Sequence, residues 1–304
     1  TPLRALDPAR DLRLEIAGEV PAGHTRDLAG YLPRALEIEG AFRAQGSLAG
    51  PPARLRGQLD LAMTEARTWR DRWESGGAVL HLDAGDLHVT GISARRPGEQ
   101  VTGEVHVLGR ELRGRFETDG VELAHVGWVA GVGLAGRASG RLELAGTVRE
   151  PRVQGRAETR ALAVRGAALG PARADFSVVG ARSVGVEAEG PGIRLALGLD
   201  LVADRLQADL GLADADAVPL LRLAGAEVDG VGVRASGRMA LRAPLEDLQT
   251  GQGDLHLTRL RLDSGADSWE NAGPVRATWQ DRRLTLQPVR LRADQREFLV
   301  QGSL

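Results

Sequence analysis

The stretch that decides the fold is IRLALGLDL, Ile193 to Leu201. Ile193, Leu195, Leu197, Leu199 and Leu201 take every second place, and Arg194, Ala196, Gly198 and Asp200 fill the places between. Side chains two apart share one face of an extended chain, so the spacing predicts a strand with one apolar and one wet face. Strands of that kind belong to antiparallel sheets rather than to parallel sheets buried on both sides.

The same alternation runs outward in both directions. Leu206, Ala208, Leu210 and Leu212 alternate with Arg205, Gln207 and Asp209; Leu12, Leu14 and Ile16 alternate with Arg13 and Glu15. Leu59 and Leu61 flank Asp60, Val105 and Val107 flank His106, and Leu142 and Leu144 flank Glu143. Gly, Pro and Asp clusters separate these runs at roughly 8–12 residues, the spacing of hairpins and meanders. In one place the phase slips: Leu255 and Leu257 are odd-numbered, Leu260 and Leu262 even. A β-bulge near Thr258 and Arg259 would return all four to one side.

Long helical periodicity is almost absent. Thr25 to Leu32, Ala124 to Val132 and Asp216 to Leu223 each suit one or two turns, the last with Asp216 as N-cap and Pro219 in its first turn. Glu65 to Glu74 also tolerates a helix.

The pieces recur. Gly46 to Leu61, Gly140 to Gly155 and Gly237 to Leu257 share a strand, a Pro-containing turn and a strand carrying Gly57, Gly155 or Gly253, which lie 98 residues apart each time. A second strand pair follows in each, at Leu87 to Val105, Val184 to Leu199 and Leu284 to Leu304. The chain is therefore expected to hold three repeat units, residues 1–108, 109–203 and 204–304, stacked as one continuous elongated domain.

Composition narrows the function classes. The 304 residues are 42% hydrophobic and 26% charged with a formal net charge of −2, so no global field draws in nucleic acid or an anionic membrane. Aromatics at 3% argue against base-stacking platforms. The absence of Cys removes disulfides, thiolate catalysis and cysteine metal sites together. No 18-residue apolar run is present, and the chain opens on Thr1, so an anchor or signal segment is expected outside it.

Motif signals are weak. Gly131-Val-Gly133-Leu-Ala-Gly136 matches a dinucleotide fingerprint, but that motif must open a helix, and here a strand pattern follows at Arg141 to Leu144. His24, His81, His88, His106, His125 and His256 include no pair at metal-clamp spacing, and His106 and His256 read as solvated strand positions. Asp214 and Asp216 read as capping and loop residues, the five Trp as packing, and Arg95-Arg96 as a solvated turn or a contact for a phosphate headgroup. No catalytic constellation is present, so no enzyme and no cofactor or metal is expected.

The phrase GRLELAGTVREPRVQGRAE, Gly140 to Glu158, resembles the recurring signature of the TamB and AsmA-like envelope family. LADADAVPLLRLAGAEVDGVGVRASGRMAL, Leu212 to Leu241, is similar to that family's helix-to-strand junction, and LTLQPVRLRADQREFLVQGSL, Leu284 to Leu304, to its closing phrase. The similarity covers most of the chain, more clearly from about Val121 onward.

The resemblance implies an all-β, elongated, curled antiparallel sheet, a taco-like groove with a hydrophobic interior. It implies a periplasmic protein, anchored in the inner membrane at full length, carrying phospholipid between inner and outer membranes. The implied partners are phospholipid acyl chains and an outer-membrane barrel protein. The residues expected to line the groove are Leu142, Leu144, Val153, Ile193, Leu195, Leu197, Leu199, Leu210, Leu255, Leu257, Leu284 and Leu286. The rival expectations are a scaffold that assists outer-membrane protein assembly by strand pairing, and a structural or adhesive β-solenoid whose leucines touch only one another.

Overall fold

The structure, a computed structural model, describes residues 14–24, 38–51, 54–68, 71–126, 133–223, 225–228 and 230–303. Among them are twenty strands and one α-helix. The fold is all-β and antiparallel, as the alternation predicts. Contacts divide the chain into two compact units, residues 1–132 with 137–153, and residues 133–136 with 154–304. The expected divisions after 108 and 203 fall at the tips of hairpins.

Unit 1 is a meander. Its strands are β1 (Leu14–His24), β2 (Ile38–Gly50), β3 (Arg56–Thr68), β4 (Asp71–Asp83), β5 (Asp86–Arg96), β6 (Glu99–Leu108) and β7 (Glu111–Glu122). Each pairs antiparallel with the next. The two-residue β8 (Leu134–Ala135) belongs to unit 2, so β7 next meets β9 (Arg137–Gly146). Within Glu65 to Glu74, which tolerates a helix on sequence, the described residues are instead on paired β3 and β4, where strand pairing buries Trp73 and Ala66 side by side.

Unit 2 continues the pattern with β10 (Pro151–Val164), whose first residues lie in unit 1, β11 (Ala167–Val179), β12 (Ser183–Gly190), β13 (Ile193–Asp200) and β14 (Arg205–Asp216). Then come α1 (Val218–Leu223), β15 (Val231–Pro244), β16 (Gln252–Ser264), β17 (Asp267–Asn271), β18 (Val275–Gln280), β19 (Arg283–Ala293) and β20 (Arg296–Ser303). β8 pairs with β10, and from β11 on, neighbours in sequence are neighbours in the sheet. β17 and β18 are two halves of one interrupted strand, since both lie between β16 and β19.

The bulge expected near Thr258 is present. Leu257 faces Gly237 and Arg259 faces Ser236, so Thr258 is the extra residue. The break between β17 and β18 lies beside it. There the Asn271 amide replaces ladder partners, its Oδ1 accepting from the Leu260 N–H at 2.6 Å and its Nδ2 donating to the Thr258 carbonyl at 3.2 Å.

The short helix falls where the sequence places it. Asp216 Oδ1 accepts from the Val218 N–H at 3.0 Å, satisfying a donor at the helix start. Of Ala124 to Val132 the structure describes a 3-10 turn at Leu123–His125, while 127–132 and all of Thr25 to Leu32 lie outside the described residues. In both units a bulged strand is followed by a short helical segment and a further long strand: Thr118/Val121 and Leu123–His125 before β9, and Leu212/Ala215 and α1 before β15.

Candidate apolar trough

The registers carry the alternation from single strands to whole faces. In unit 2, Ala174, Ala188, Leu195, Leu210, Met239, Leu255, Ala277 and Leu286 face one another in turn across β11 to β19. The parallel row on one side continues from Phe176 through Val186, Leu197, Ala208 and Leu241 to Trp279 and Leu284, and on the other side Ile193 joins Leu212 and Leu257. A charged or small residue separates each member from the next along its own strand, as with exposed Arg194 and Ala196 either side of half-buried Leu195.

Nine of the twelve expected lining residues therefore lie on one face of unit 2: Ile193, Leu195, Leu197, Leu199, Leu210, Leu255, Leu257, Leu284 and Leu286. Leu142 and Leu144 lie on the apolar face of unit 1. There Leu144 closes the row Leu59, Leu80, Val89, Val105, Gly114, and Leu142 faces Phe116. Val153, on β10, is half-buried between exposed Arg152 and Gln154.

These faces are only half covered. No large side chain among the described residues is fully buried, and the buried set is dominated by Ala and Val. The exception is one end of the unit 2 face, where Val233, Leu257, Val275 and Val289 pack under Val218 and Leu221 of α1. That helix touches both β11 and β15, strands separated in the sheet by β12, β13 and β14. α1 thus lies on the apolar side of a curled sheet, over the margin that joins β11 to β15. A sheet of this kind exposes a trough floored mainly by aliphatic side chains, suited to apolar matter.

Large side chains stand over glycines on the apolar face of each unit. Phe116 lies opposite Gly103, and Phe176 covers Gly155, where a Cβ would come within 2.3 Å of the ring. Aromatic cover of a strand glycine fills the gap that glycine leaves and pins the register. Gly253, the third member of the 98-residue series, faces Trp279 in the register, but its nearest neighbours are the Ala240 carbonyl oxygen and the Leu241 side chain rather than the ring.

The wet faces hold the ion pairs. Arg156–Asp175 (2.7 Å), Arg173–Glu158 (3.6 Å) and Arg194–Glu189 (2.9 Å) bridge neighbouring strands in solvent. An open depression of about 820 Å³ on this side is lined by Arg194, Asp209, Arg238, Asp254 and Arg276. Asp214, expected in a loop role, holds Arg234 at 3.1 Å from a left-handed backbone at φ 50°.

One buried polar cluster was not legible. Arg96, read from sequence as part of a solvated turn, is only 9% exposed and is clamped to Glu99 at 2.6 Å. The β5–β6 turn folds it inward, where its guanidinium lies 4.4 Å from the centre of the Trp73 ring. His125 Nδ1 stands 2.8 Å from the other Glu99 oxygen. Burial alone would raise the Glu99 carboxyl, but the hydrogen bonds from Arg96, His125 and the Glu122 backbone, with the Arg96 charge, outweigh it and hold the group below its ordinary range.

His81, His88 and His106, unremarkable by spacing, stand side by side across β4, β5 and β6. Trp69 and Trp128 lie outside the described residues, as do Gly131 and Val132 of the glycine motif; the motif's Leu134 and Ala135 form a strand and open no helix. Among the described residues no helix is long and apolar enough to cross a membrane.

Comparison of the chain with family models, with curated proteins and with solved structures gives no match, so the reading of the trough rests on its own geometry.

Proposed function

We propose that the chain is a groove segment that shields phospholipid acyl chains, part of a periplasmic protein carrying lipid between the inner and outer membranes. The observation that carries this reading is the row from Ala174 to Leu286, an unbroken aliphatic track running across the strands of unit 2, with α1 laid over one end of that face. Leaving a Leu side chain uncovered forgoes roughly 1.5–3 kcal/mol, so a trough floored by many of them gains from a guest. An acyl chain supplies that cover at about 0.8 kcal/mol per methylene. The gain is nearly uniform along the row, so the guest slides over small barriers while its headgroup stays in water. The resemblance of Gly140–Glu158 and Leu212–Leu241 to the TamB and AsmA-like phrases supports the envelope setting.

Native mass spectrometry after detergent-free purification from a double-membrane bacterium tests the reading. Phospholipid mass adducts are expected. A clean apo spectrum, together with failure to take up lipid from vesicles, would leave the β-solenoid reading in its place.

A second reading has its own observation. β20 pairs only with β19 among the described residues, and Phe298, Leu299 and Val300 are 57%, 60% and 44% exposed on its two faces. An apolar strand edge of this kind pairs with a further strand, whether the chain's own or a client's, and a scaffold for barrel strands would use it in that way. Photocrosslinkers along β20 would capture nascent barrel strands in that case and lipid in neither case.

A further inference from the structure

The wet face of unit 1 carries a cluster that the trough does not use. His81 faces His88, and His88 faces His106, in one cross-strand row that ends on Gln58 and Arg113. All three imidazoles are exposed. The ring centres of His88 and His106 lie 5.1 Å apart at an interplanar angle of 46°, and those of His81 and His88 lie 6.4 Å apart.

We propose that His88 and His106 form a surface binding site for a transition-metal ion of the copper, zinc or nickel class, with His81 beside it. The geometry carries the argument. Two imidazoles that share one tetrahedral ion through nitrogens at about 2.0–2.1 Å place their ring centres about 5 Å apart. His88 and His106 already stand at that separation, held there by β5–β6 pairing rather than by a mobile loop. Binding therefore needs only small rotations about the side-chain bonds. His81, at the longer spacing, reaches the same ion only by changing rotamer.

Imidazole nitrogen is the ligand these metals share, and the order of affinity for such a site rises to Cu²⁺. No group of three His, Asp or Glu side chains among the described residues is set to hold an ion together. The site is thus a two-imidazole chelate whose remaining positions are filled by water. Carboxylates lie one pleat away on either side, Asp86 beside His88 and Glu104 beside His106, and offset the charge of Arg113, which faces His106 and is itself paired with Glu111.

The test is a titration of the untagged chain with Cu²⁺ and with Zn²⁺, followed by calorimetry, and by electron paramagnetic resonance for copper. One equivalent is expected, with two nitrogen ligands in the copper spectrum. His88→Asn and His106→Asn should each weaken binding by roughly tenfold or more, because the second imidazole binds at a high effective concentration. The double variant should be little worse than either single one. His256→Asn, on a strand with no neighbouring histidine, should change nothing. Equal uptake by the wild type and the double variant, or a copper spectrum with one nitrogen, overturns the proposal. So does loss of binding in His256→Asn.

Discussion

Phe176 lies on Gly155: a Cβ added to that glycine would find its three nearest neighbours all in the ring, at 2.3, 2.7 and 2.9 Å. The contact joins β10 to β11 on the apolar side, where the Arg156–Asp175 pair joins them on the wet side. Gly103 is covered by Phe116 in the same way, but there the Arg115 carbonyl oxygen also stands at 2.8 Å.

The two glycines should respond differently to rescue. Gly155→Ala is expected to lower stability by about 1–3 kcal/mol through overpacking, and Phe176→Leu should restore part of the loss. Gly103→Ala is expected to cost as much, with no restoration by Phe116→Leu, since the backbone oxygen cannot withdraw. Denaturant melts of the four variants and two doubles check this. Equal rescue at both sites would show that the ring, not the backbone, sets the limit at Gly103.

Facing decides the second prediction. Leu197 lies on the trough floor, and Arg194, three residues earlier, points to solvent and pairs with exposed Glu189. Leu197→Asp should abolish lipid uptake, because a carboxylate in the floor must be desolvated beside the acyl chain. Arg194→Asp should leave uptake unchanged and cost under about 1 kcal/mol of stability, as the loss of an exposed pair does. Uptake from labelled vesicles measures both, with circular dichroism to confirm that strand content is kept. Loss of uptake in both variants would contradict the assigned facing.

Glu99 gives a pH dependence with a definite sign. Its carboxyl is held below the ordinary range in the folded chain, so the unfolded chain binds a proton there first as pH falls. The stabilisation is whole above the ordinary glutamate value of about 4.3 and is lost as pH drops through the lower folded value. Thermal melts between pH 7 and pH 2 should show unit 1 weakening in that window. Glu99→Gln should remove this part of the slope, and it should cost about 3–5 kcal/mol at neutral pH by leaving the buried Arg96 guanidinium without its carboxylate. A variant with the same slope as the wild type would place the acid sensitivity elsewhere.

Deleting Thr258 removes the extra residue of the β16 bulge. Leu257, Arg259 and Leu260 then alternate strictly, so Leu260 and Leu262 keep both their face and their β15 partners. Unit 2 is expected to keep cooperative unfolding after the deletion. Thr258→Ala, which keeps the bulge and gives up only the hydroxyl bond to the Ser236 carbonyl at 3.2 Å, should cost about 1 kcal/mol or less. Loss of cooperative unfolding in the deletion, measured by denaturant melts, would mean that the bulge itself, not the alternation, holds the pairing.

The features legible in the sequence are those fixed by local periodicity. Ile193 to Leu201 announces its own facing, and the change from odd to even leucines between Leu257 and Leu260 locates a bulge to Thr258 and Arg259. Asp216 announces the start of α1 because capping is a contact between residues two apart. What stayed hidden depends on register between strands distant in sequence. Arg95-Arg96 looks like a solvated turn until β4 brings Trp73 beneath Arg96 and the 3-10 turn brings His125 to Glu99. The histidines at 81, 88 and 106 have no meaningful spacing along the chain, because hairpin lengths rather than residue intervals bring them level. Glu65 to Glu74 misleads for the same reason: its helix tolerance is local, and the pairing that overrides it is not.

The position of α1 makes the two margins of unit 2 unlike one another. The margin beside Val233, Leu257 and Val275 is roofed by Val218 and Leu221, whereas at the opposite margin, where Val184, Leu199, Leu206 and Ala243 align, Ala243 is buried and the 3-10 turn Leu248–Thr250 lies against β15. A guest with a tail and a head would thus meet unlike neighbours at its two ends, an aliphatic helix face at one and a hairpin turn at the other. Successive occupants would share one lateral orientation, like books shelved with every spine outward.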